Sequence, residues 1–415
     1  MARISPMKIS MFHLMPYRDL PEGFEKTYPS SWFTLPFPKV ADANKAAQYY
    51  NWTLDELQYA AESGFDGVCT NEHHQNAYGF MVNPNMMGSV LARATRGTDT
   101  AIIQMGETAV FLNPPIRVAE EYAMLDCISE GRMVAGFPVG LGGDFAHSYG
   151  FAPMEQRGRY REAHELITKA WQAEDVFSWN GKYYQLPMVS VWPRPVQKPH
   201  PPIWVPGNAS PSTWDFVLQN DYCYCYLTYF GAKGADKTVG GYWKRAAEMG
   251  RDNNPYRLGY LIPVGVAESD AAADKLYASH IEYFYHKLLH IPEALFMPPG
   301  HMTHSSLSYL ITKRPLPPFD TLKKNSYKDF KENEYLVTGS ADTVTEQLLG
   351  IVKRLRVGNL MLLPHFGSMS HEETMENIDR IAKDVLPHLR GVWDDEGWEN
   401  HWWPENCKQP ARQAA

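Results

Sequence analysis

Apolar and polar positions along the chain follow two alternating patterns. Short, nearly continuous apolar runs predict strands buried on both faces, and most are followed by a stretch with apolar residues at helical spacing. The predicted strands are Met7 to Phe12, Asp66 to Thr70, Thr100 to Met105, Met133 to Phe137, Pro202 to Val205, Tyr222 to Tyr229, Leu258 to Val266 and Asn359 to Leu363. The clearest predicted helices are about Pro84 to Ala94, Ile116 to Ile128 and Glu372 to Val385.

This alternation predicts an α/β protein with a parallel sheet. About eight strand–helix units can be counted, which favours a single closed (β/α)8 barrel of the TIM type over an open, doubly wound sheet. We expect one domain over residues 1–390, with insertions at about 16–48, 177–201 and 290–334. Residues 391–415 form a separate tail.

Local signals refine three of these regions. After the first insertion, Thr53 is the predicted N-cap of a helix, with Glu56 three residues later. In the second, Asn180-Gly181 predicts the turn of a hairpin. The third has many prolines and no sustained period, so we expect an irregular lid with Phe296, Met297, His301 and Tyr309.

The tail is rich in tryptophan. Exposing so many indole rings would be costly, so we expect the tail to pack on the barrel or on another subunit. The four rings are those of Trp393, Trp398, Trp402 and Trp403.

Composition narrows the class of protein. The 415 residues carry a net charge of −8 from 47 acidic and 39 basic residues, which argues against a nucleic-acid or membrane partner. No apolar stretch approaches the roughly 18–20 residues that span a bilayer, and the N-terminus lacks a signal-peptide pattern. The five cysteines form no metal-like cluster and favour buried thiols and a cytoplasmic location. Cys223 and Cys225 are expected to share one face of a strand.

Candidate chemistry lies at the ends of the predicted strands. Glu72-His73-His74 follows the second strand, and Gly106-Glu107-Thr108 follows the third. In a parallel barrel these ends meet at the rim where active sites are built. Adjacent histidines are nevertheless common on ordinary surfaces and in satisfied cores, and that alternative stays open at this point.

A third candidate is the loop after the fifth strand, Gly207-Asn208-Ala209-Ser210-Pro211-Ser212-Thr213. It opens a helix, and the helix dipole with hydroxyl donors makes a natural phosphate site. A plain helix cap by Ser210 or Ser212 is the alternative. No metal-ligand spacing and no GxSxG motif is present. A phosphate-bearing cofactor in a barrel is what remains.

Landmarks in order along the chain resemble the bacterial luciferase-like family of flavin-dependent monooxygenases. The resemblance runs from Met7 to about Leu389. Its landmarks are Gly64-Phe65-Asp66 to Glu72-His73-His74, Asn113 to Glu121, Leu125 to Arg132, Arg159-Tyr160-Arg161-Glu162, Pro193 to Ile203, Val337-Thr338-Gly339-Ser340 and Val385-Leu386-Pro387.

This resemblance implies a barrel that binds reduced FMN (FMNH2) at the C-terminal rim and activates O2 as a flavin C4a-peroxide. His73 matches the family's catalytic histidine, with Glu72 and His74 as its neighbours. A non-proline cis peptide often occurs in the family at the stretch under the isoalloxazine ring. The matching cofactor-binding residues are Met105, Gly106, Glu107, Thr108, Val139, Gly207, Asn208, Ala209, Ser210, Ser212 and Thr213.

One departure concerns the phosphate. The luciferases have a Cys-Arg pair after the fourth strand, where this chain has Pro138 and Val139. The charge must therefore be met by backbone N–H groups, hydroxyls or a cation from elsewhere in the chain.

The resemblance also implies partners. We expect a separate NAD(P)H:flavin reductase, O2, a small hydrophobic or aromatic organic substrate, and a homodimer. The alternatives are a deazaflavin-dependent dehydrogenase of the same barrel family and a non-catalytic flavin-binding subunit.

Overall fold

The computed structural model describes residues 5–110, 112–227, 230–313 and 319–407. In these residues eight parallel strands pair in a closed ring, and this confirms the predicted (β/α)8 barrel. Going round the ring, they are β1 (Lys8–Phe12), β2 (Gly67–Thr70), β3 (Ala101–Gln104), β4 (Met133–Gly136), β7 (Ile203–Gly207), β8 (Cys223–Leu227), β9 (Leu258–Val266) and β11 (Asn359–Leu363).

Three further strands lie outside the ring. β5 (Phe177–Asn180) and β6 (Gln185–Val189) form an antiparallel hairpin at the predicted Asn-Gly turn. β10 (Val337–Gly339) pairs in parallel with the C-terminal end of β9. The predicted strand Tyr222 to Tyr229 runs past Leu227 into positions 228 and 229, which lie outside the described residues.

Helices surround the barrel, and none in the described part of the chain is long and apolar enough to cross a membrane. They are α1 (Phe24–Thr27), α2 (Phe37–Val40), α3 (Ala43–Glu62), α4 (Pro84–Ala94), α5 (Ile116–Ile128), α6 (Gln156–Gln172), α7 (Pro211–Asn220), α8 (Gly231–Glu248), α9 (Asp270–Tyr283), α10 (Glu293–Phe296), α11 (His304–Lys313), α12 (Tyr327–Glu332), α13 (Ala341–Leu355), α14 (His371–Asp384) and α15 (Leu386–Leu389). Single π-helical turns occur at Asp144–Ser148 and Phe284–Leu288.

The helix after the first insertion begins earlier than predicted. α3 begins at Ala43, and its N-cap is Asp42, whose carboxylate accepts hydrogen bonds from Asn44 N and Lys45 N. The predicted cap Thr53 is wrong, because this residue lies buried in the middle of the helix. The insertion therefore ends at Asp42 rather than at residue 48.

This correction can be tested by stability. Asp42→Ala removes the cap and is expected to lower the free energy of unfolding by about 1 kcal/mol. Thr53→Val is the matched control. The buried Thr53 hydroxyl has no hydrogen-bond partner within the described residues, so replacing it with a methyl group should cost little. Urea unfolding followed by circular dichroism gives both values. The reverse order of effects would restore Thr53 as the cap.

The third insertion is more regular than its composition suggested. The prediction of an irregular segment over 290–334 is wrong, since α10, α11 and α12 lie within it together with a 3-10 turn over residues 319–324. Positions 314–318 lie outside the described residues. Short helices are hard to predict from periodicity, because two turns contain too few residues to establish a period.

The tail lies against the N-terminal end of its own barrel. Trp403 is buried, with its ring 5.7 Å from that of Trp204 and 5.4 Å from Lys8 Nζ. The Trp402 carbonyl accepts a hydrogen bond from Trp204 Nε1 at 2.8 Å. Trp204, Cys223 and Cys225 belong to the same buried cluster. These rings are therefore at the opposite end of the barrel from the carboxyl ends of its strands.

Candidate functional site

A cavity of about 740 Å³ lies at the carboxyl ends of the barrel strands. Its volume is in the range of roughly 300–1,000 Å³ that small-molecule sites occupy. Every strand of the ring contributes a residue to the wall of the cavity. Each of these residues lies at the carboxyl end of its strand or just beyond that end, except on β9, where the residue lies a short distance before the end. The contributing residues include Phe12, Asn71, Met105, Pro138, Gly207, Leu227, Pro263 and Leu363.

Of the three residues Glu72, His73 and His74 after β2, two line this cavity and one lies behind its wall. Glu72 and His73 line the cavity. His74 lies behind them, where its Nε2 is 3.1 Å from Glu72 Oε1 and 3.3 Å from the Tyr149 hydroxyl. The geometry thus gives His73 direct access to a ligand and His74 a supporting position.

Aromatic rings and one carboxylate fix the imidazole of His73. The rings of Trp32 and Tyr78 contact it edge-on at 5.5 and 5.1 Å. Asp144 Oδ2 is 3.5 Å from His73 Nδ1. Gly79 allows this packing, since a Cβ there would lie 2.5 Å from the imidazole Cδ2. The ring is therefore held in one place with part of its edge facing the cavity.

Glu72 connects the loops after β2 and β3. Its Oε2 accepts a hydrogen bond of 2.7 Å from Thr108 N. Gly106 lies directly against it, because a Cβ at this position would be 2.0 Å from Glu72 N. Any larger residue would separate the two loops, so the glycine is required by the close approach of the backbones.

The pKa values of three ionisable groups of this region are shifted in favour of the neutral form. Burial raises the pKa of Glu72 to about 8, and nearby Asp144 adds to the rise. Burial also raises the pKa of Glu107 well above its ordinary value, with the Glu72 carboxyl adding to it. Burial lowers the pKa of His74. The Glu72–His74 contact is accordingly a hydrogen bond between neutral groups rather than an ion pair.

The raised pKa values make stability depend on pH. Between the unfolded pKa of 4.5 and about 8, the native chain holds protons that the unfolded chain has released. The stability contributed by the protonated Glu72 carboxyl is fully present below pH 4.5 and is lost as the pH rises through about 8. The raised pKa of Glu107 makes its contribution fall in the same direction.

We therefore expect Glu107→Gln to stabilise the protein more at pH 8 than at pH 5. Glutamine carries no charge at either pH, so it avoids the growing cost of keeping the buried Glu107 carboxyl protonated as the pH rises. Denaturant titrations of both proteins at the two pH values measure the stabilisation. A difference that is the same at both would contradict the raised pKa.

The loop after β7 forms the other end of the cavity. Gly207, Asn208, Ala209, Ser210 and Thr213 line it. Ser210 is the N-cap of α7, but its side chain makes no capping hydrogen bond, so the plain-cap alternative is wrong for this residue. Its hydroxyl instead lies 2.9 Å from Ser306 Oγ and 3.1 Å from Ser212 Oγ.

A cation reaches this end from α6. Arg157 lines the cavity, and its Nη2 lies 3.4 Å from Ser210 Oγ. Its Nε is buried and has no hydrogen-bond partner within the described residues. A buried guanidinium N–H without a partner is costly unless a ligand accepts it. Arg157 therefore places a cation in the cavity beside the loop after β7.

Gln156 ties the loop after β4 to the third insertion. Its side-chain amide donates to the Val139 carbonyl at 2.8 Å, and its oxygen is 2.8 Å from His301 Nδ1. Burial lowers the pKa of His301 to about 4, and the charge of Arg157 lowers it further. His301 is thus a neutral donor to Gln156 and lines the cavity.

Two predicted cofactor-binding residues, Glu107 and Ser212, and one predicted catalytic residue, His74, lie outside the cavity wall. Glu107 is buried. Ser212 is connected to the cavity wall through its hydrogen bond with Ser210, and His74 is connected to it through its hydrogen bond with Glu72. The expected cis peptide is also wrong: the cis bonds of the described residues precede Pro114, Pro193 and Pro199. The predicted residues that line the cavity are Glu72, His73, Met105, Gly106, Thr108, Val139, Gly207, Asn208, Ala209, Ser210 and Thr213.

Sequence reasoning missed Asp144, Arg157 and Ser306 as cavity residues. Asp144 begins a π-helical turn, is buried, and leaves Oδ1 without a hydrogen-bond partner among the described residues. A carboxylate in the glycine-rich loop after β4 was the only signal available for it. Arg157 and Ser306 had none, because neither follows a strand.

The rest of the cavity wall is apolar. Phe296 and Met297 of the third insertion line it, while Tyr309 packs edge-on against Trp214 and does not. The first insertion supports this wall, as Trp32 stacks on Tyr78 at 4.7 Å and contacts Phe296. The other apolar lining includes Phe12, Leu14, Phe230, Leu261, Phe284, Leu307, Leu310 and Ile311.

The donor and acceptor set of the cavity suits an organic ligand with an anionic group rather than a metal. Within the described residues there is no group of three or more His, Cys, Asp or Glu side chains that could hold a metal ion. One end offers a guanidinium, hydroxyls and the N-terminus of a helix, and the other offers His73 beside Asp144. The wall between them is mostly uncharged.

Comparisons with known proteins agree with this arrangement. A family model described as luciferase-like monooxygenase matches residues 30–356. The chain is 29% identical over 260 residues to the flavin-dependent trigonelline monooxygenase, oxygenase component, of Acinetobacter baylyi. That match covers 60% of this chain and 67% of the relative.

Solved structures share the fold. One is the oxygenating constituent of 3,6-diketocamphane monooxygenase of Pseudomonas putida in complex with FMN, with a TM-score of 0.68 and 18% identity over 93% of this chain and 99% of that one. Another is an F420-dependent secondary alcohol dehydrogenase, with a TM-score of 0.61 and 16% identity over 92% and 99%. At such identities the likeness establishes the barrel alone.

Proposed function

The chain belongs to the luciferase-like monooxygenase family, and from this premise we propose that it is an oxygenase that uses reduced FMN and O2. The observation that carries the proposal is the different chemistry of two parts of the cavity wall. Arg157 and Ser210 lie at the loop after β7, and His73 lies after β2, three strands away round the ring. This arrangement fits a ligand with a phosphate at one end and a redox-active ring at the other.

The phosphate end fits FMN through its donors. The phosphate would lie against Arg157, whose buried Nε lacks a partner within the described residues, and against the Ser210 hydroxyl. The positive end of the α7 dipole adds to the attraction. Since Thr213 N and Trp214 N both donate to the Ser210 carbonyl, and Pro211 has no N–H, the backbone supplies little. Side chains would therefore supply most of the hydrogen bonds to the phosphate.

The ring end fits a flat group between the loops after β2 and β3. Met105, Gly106 and Thr108 would support it from one side, and Glu72 holds those two loops together. Reduced FMN, when bound, supplies the electrons that activate O2. The role of His73 is to hold or transfer a proton at its Nε2, while the surrounding aromatic rings exclude water.

The substrate is proposed to be a small organic molecule with a hydrophobic or aromatic body. The space for it is bounded by Tyr78, Phe284 and Phe296. A separate NAD(P)H:flavin reductase is proposed as the source of reduced FMN, in keeping with the relative that is described as an oxygenase component.

Anaerobic titration tests the cofactor. We expect the purified chain to bind reduced FMN stoichiometrically and reduced deazaflavin F420 much more weakly, since the cradle is built for one terminal phosphate. On admission of O2, bound FMN should consume oxygen at a rate different from that of free reduced FMN. With NADH and FMN alone there should be no turnover until an unrelated flavin reductase is added.

Two outcomes would reject the proposal. Tight binding of F420 with no oxygen consumption would assign the chain to the deazaflavin-dependent dehydrogenases. Binding of reduced FMN with an oxidation rate equal to that of the free cofactor would make it a non-catalytic flavin-binding subunit.

A further inference from the structure

The part of the cavity wall around His73 is built from aromatic rings. Tyr78, Phe284 and Phe296 line the cavity there, and we call these three side chains the ring cluster. The Tyr78 ring lies 5.7 Å from that of Phe284. The buried Trp32 connects the third member, because its ring lies 4.7 Å from Tyr78 and 5.7 Å from Phe296.

Asp144 is the buried carboxylate next to the ring cluster. Its Oδ2 lies 3.5 Å from His73 Nδ1, and the His73 imidazole contacts the Tyr78 ring edge-on at 5.1 Å. A single imidazole therefore separates the carboxylate from the rings. Asp144 Oδ1 has no hydrogen-bond partner within the described residues. A buried carboxylate oxygen without a partner is costly unless a ligand supplies a donor or a positive charge.

A second carboxylate approaches the same region from α10. Glu293 lines the cavity and is exposed. α10 packs on the loop that carries Asp144, since a Cβ on Gly143 would collide with the Leu295 carbonyl oxygen. Asp144 and Glu293 therefore lie on neighbouring segments of the cavity wall.

The positive charge of the cavity lies elsewhere. Arg157 is the only lysine or arginine among the described residues that line the cavity, and it lies beside Ser210, where the proposed phosphate would neutralise it. His301 adds no positive charge near pH 7, because burial lowers its pKa to about 4. A neutral or anionic substrate would leave the two carboxylates without a counter-charge, whereas a cationic substrate would supply one.

We propose that the substrate is an organic cation, with a protonated or quaternary nitrogen beside Asp144 and an aromatic or apolar body against the ring cluster. Aromatic faces attract a cation through their quadrupole, and the attraction is stronger where water is excluded. A carboxylate beside such rings adds a charge that a neutral molecule of the same shape cannot use. That the bound cation is a substrate rests on the proposed function, whereas its recognition depends only on residues of the cavity wall.

Calorimetric titration with two molecules of the same shape tests the proposal. 4-Hydroxyphenyltrimethylammonium has a quaternary nitrogen where 4-tert-butylphenol has a carbon, so the two probes differ in charge. Both are titrated at pH 7 into the full chain saturated with oxidised FMN. We expect Asp144→Asn to weaken binding of the cation at least about 10-fold, because it removes the counter-charge, and to leave the affinity for 4-tert-butylphenol within about twofold.

Two further variants show whether the effect belongs to this part of the cavity. Asp99→Asn makes the same change of charge on an exposed side chain just before β3, at the opposite end of the barrel, and should bind both probes like the wild type. Glu293→Gln changes an exposed side chain, so it should fold normally. It should weaken the cation by a smaller factor, about threefold, that decreases with added salt. Circular dichroism reports whether Asp144→Asn is folded, and Glu293→Gln carries the test if it is not.

The same titrations without FMN separate this proposal from the proposed function. If FMN does not bind, the cofactor assignment fails, but the loss of cation binding in Asp144→Asn can still be measured in the free chain. Absence of cation binding to the wild type, an unchanged affinity for the cation in Asp144→Asn, or an equal loss of both probes in that variant would overturn the cationic substrate. Oxygen consumption by bound reduced FMN would then still support the proposed function.

Discussion

Arg157→Ala is expected to weaken FMN binding by about 100-fold and to leave riboflavin binding nearly unchanged. Riboflavin has the same ring and ribityl chain as FMN but lacks the phosphate. If Arg157 binds the phosphate, only the phosphorylated ligand should respond to its removal. Fluorescence quenching titrations of wild-type protein and variant with both ligands give the four dissociation constants.

The expected magnitude follows from the surroundings of Arg157. The guanidinium reaches the cavity beside Ser210, and its Nε has no partner within the described residues. A charge-assisted hydrogen bond is worth roughly 1.5–3 kcal/mol, and the phosphate would also lose a counter-charge in a partly buried site. Each 1.4 kcal/mol is about tenfold in affinity. Few free backbone N–H groups at α7 remain to compensate.

Two further variants make the result specific. Arg157→Lys keeps the charge but not the planar fork, so it should recover part of the affinity for FMN. Arg159→Ala is the control on the same helix, because this guanidinium pairs with Glu155 at 3.0 Å and stacks on Phe151 instead of entering the cavity. If Arg157→Ala weakens riboflavin as much as FMN, Arg157 supports the fold of the cavity and not the phosphate.

The barrel was predictable because its pattern is local. α4 begins at Pro84 and α5 ends at Ile128, as predicted, and β9 and β11 have their predicted bounds. Each of these elements is long or strongly apolar, and proline at the start of α4 fixes its first turn. Once the strands are parallel, the positions of Glu72 and Gly106 at one rim follow from topology alone.

The start of α3 was missed for a physical reason. Asp42 and Thr53 are both residue types that cap helices, and the aromatic residues between them, Tyr49, Tyr50 and Trp52, hid the helical period. The choice between the two caps depends on which side of the helix is buried. That is decided by the barrel against which α3 packs and not by the sequence around either residue.

The cavity residues outside the strand ends could not be predicted from the sequence, for a related reason. Arg157 lies on a helix and Ser306 lies in the third insertion, so neither follows a strand end. Their contacts with Ser210 depend on how α6 and α11 pack over the rim. Local patterns carry no information about such distances between elements.

His73→Ala is expected to change the rate at which O2 oxidises bound reduced FMN by at least about 100-fold, while the affinity for FMN stays within a few-fold. A 100-fold change corresponds to about 2.7 kcal/mol of activation free energy. The imidazole stands beside the cavity between Trp32 and Tyr78, so alanine would also leave space for water there. We expect the oxidation to become faster, because water and protons would reach the reacting atoms.

Stopped-flow mixing of the FMN-loaded, reduced protein with O2 measures this rate from the return of the oxidised-flavin absorbance. Asp144→Asn should have a smaller effect in the same direction. Its Oδ2 lies 3.5 Å from His73 Nδ1, so the carboxylate favours the tautomer that leaves Nε2 free to accept a proton. A change in the pH dependence of the rate would separate this positioning role from a purely structural one.

His147→Ala is the control for the region. His147 belongs to the same π-helical turn as Asp144 but is exposed and contacts Phe33. It should oxidise like the wild type. An unchanged rate in His73→Ala would mean that the imidazole only fills space beneath the aromatic wall. The proton would then have to be handled by another group at that end of the cavity, of which Asp144 is the nearest ionisable one.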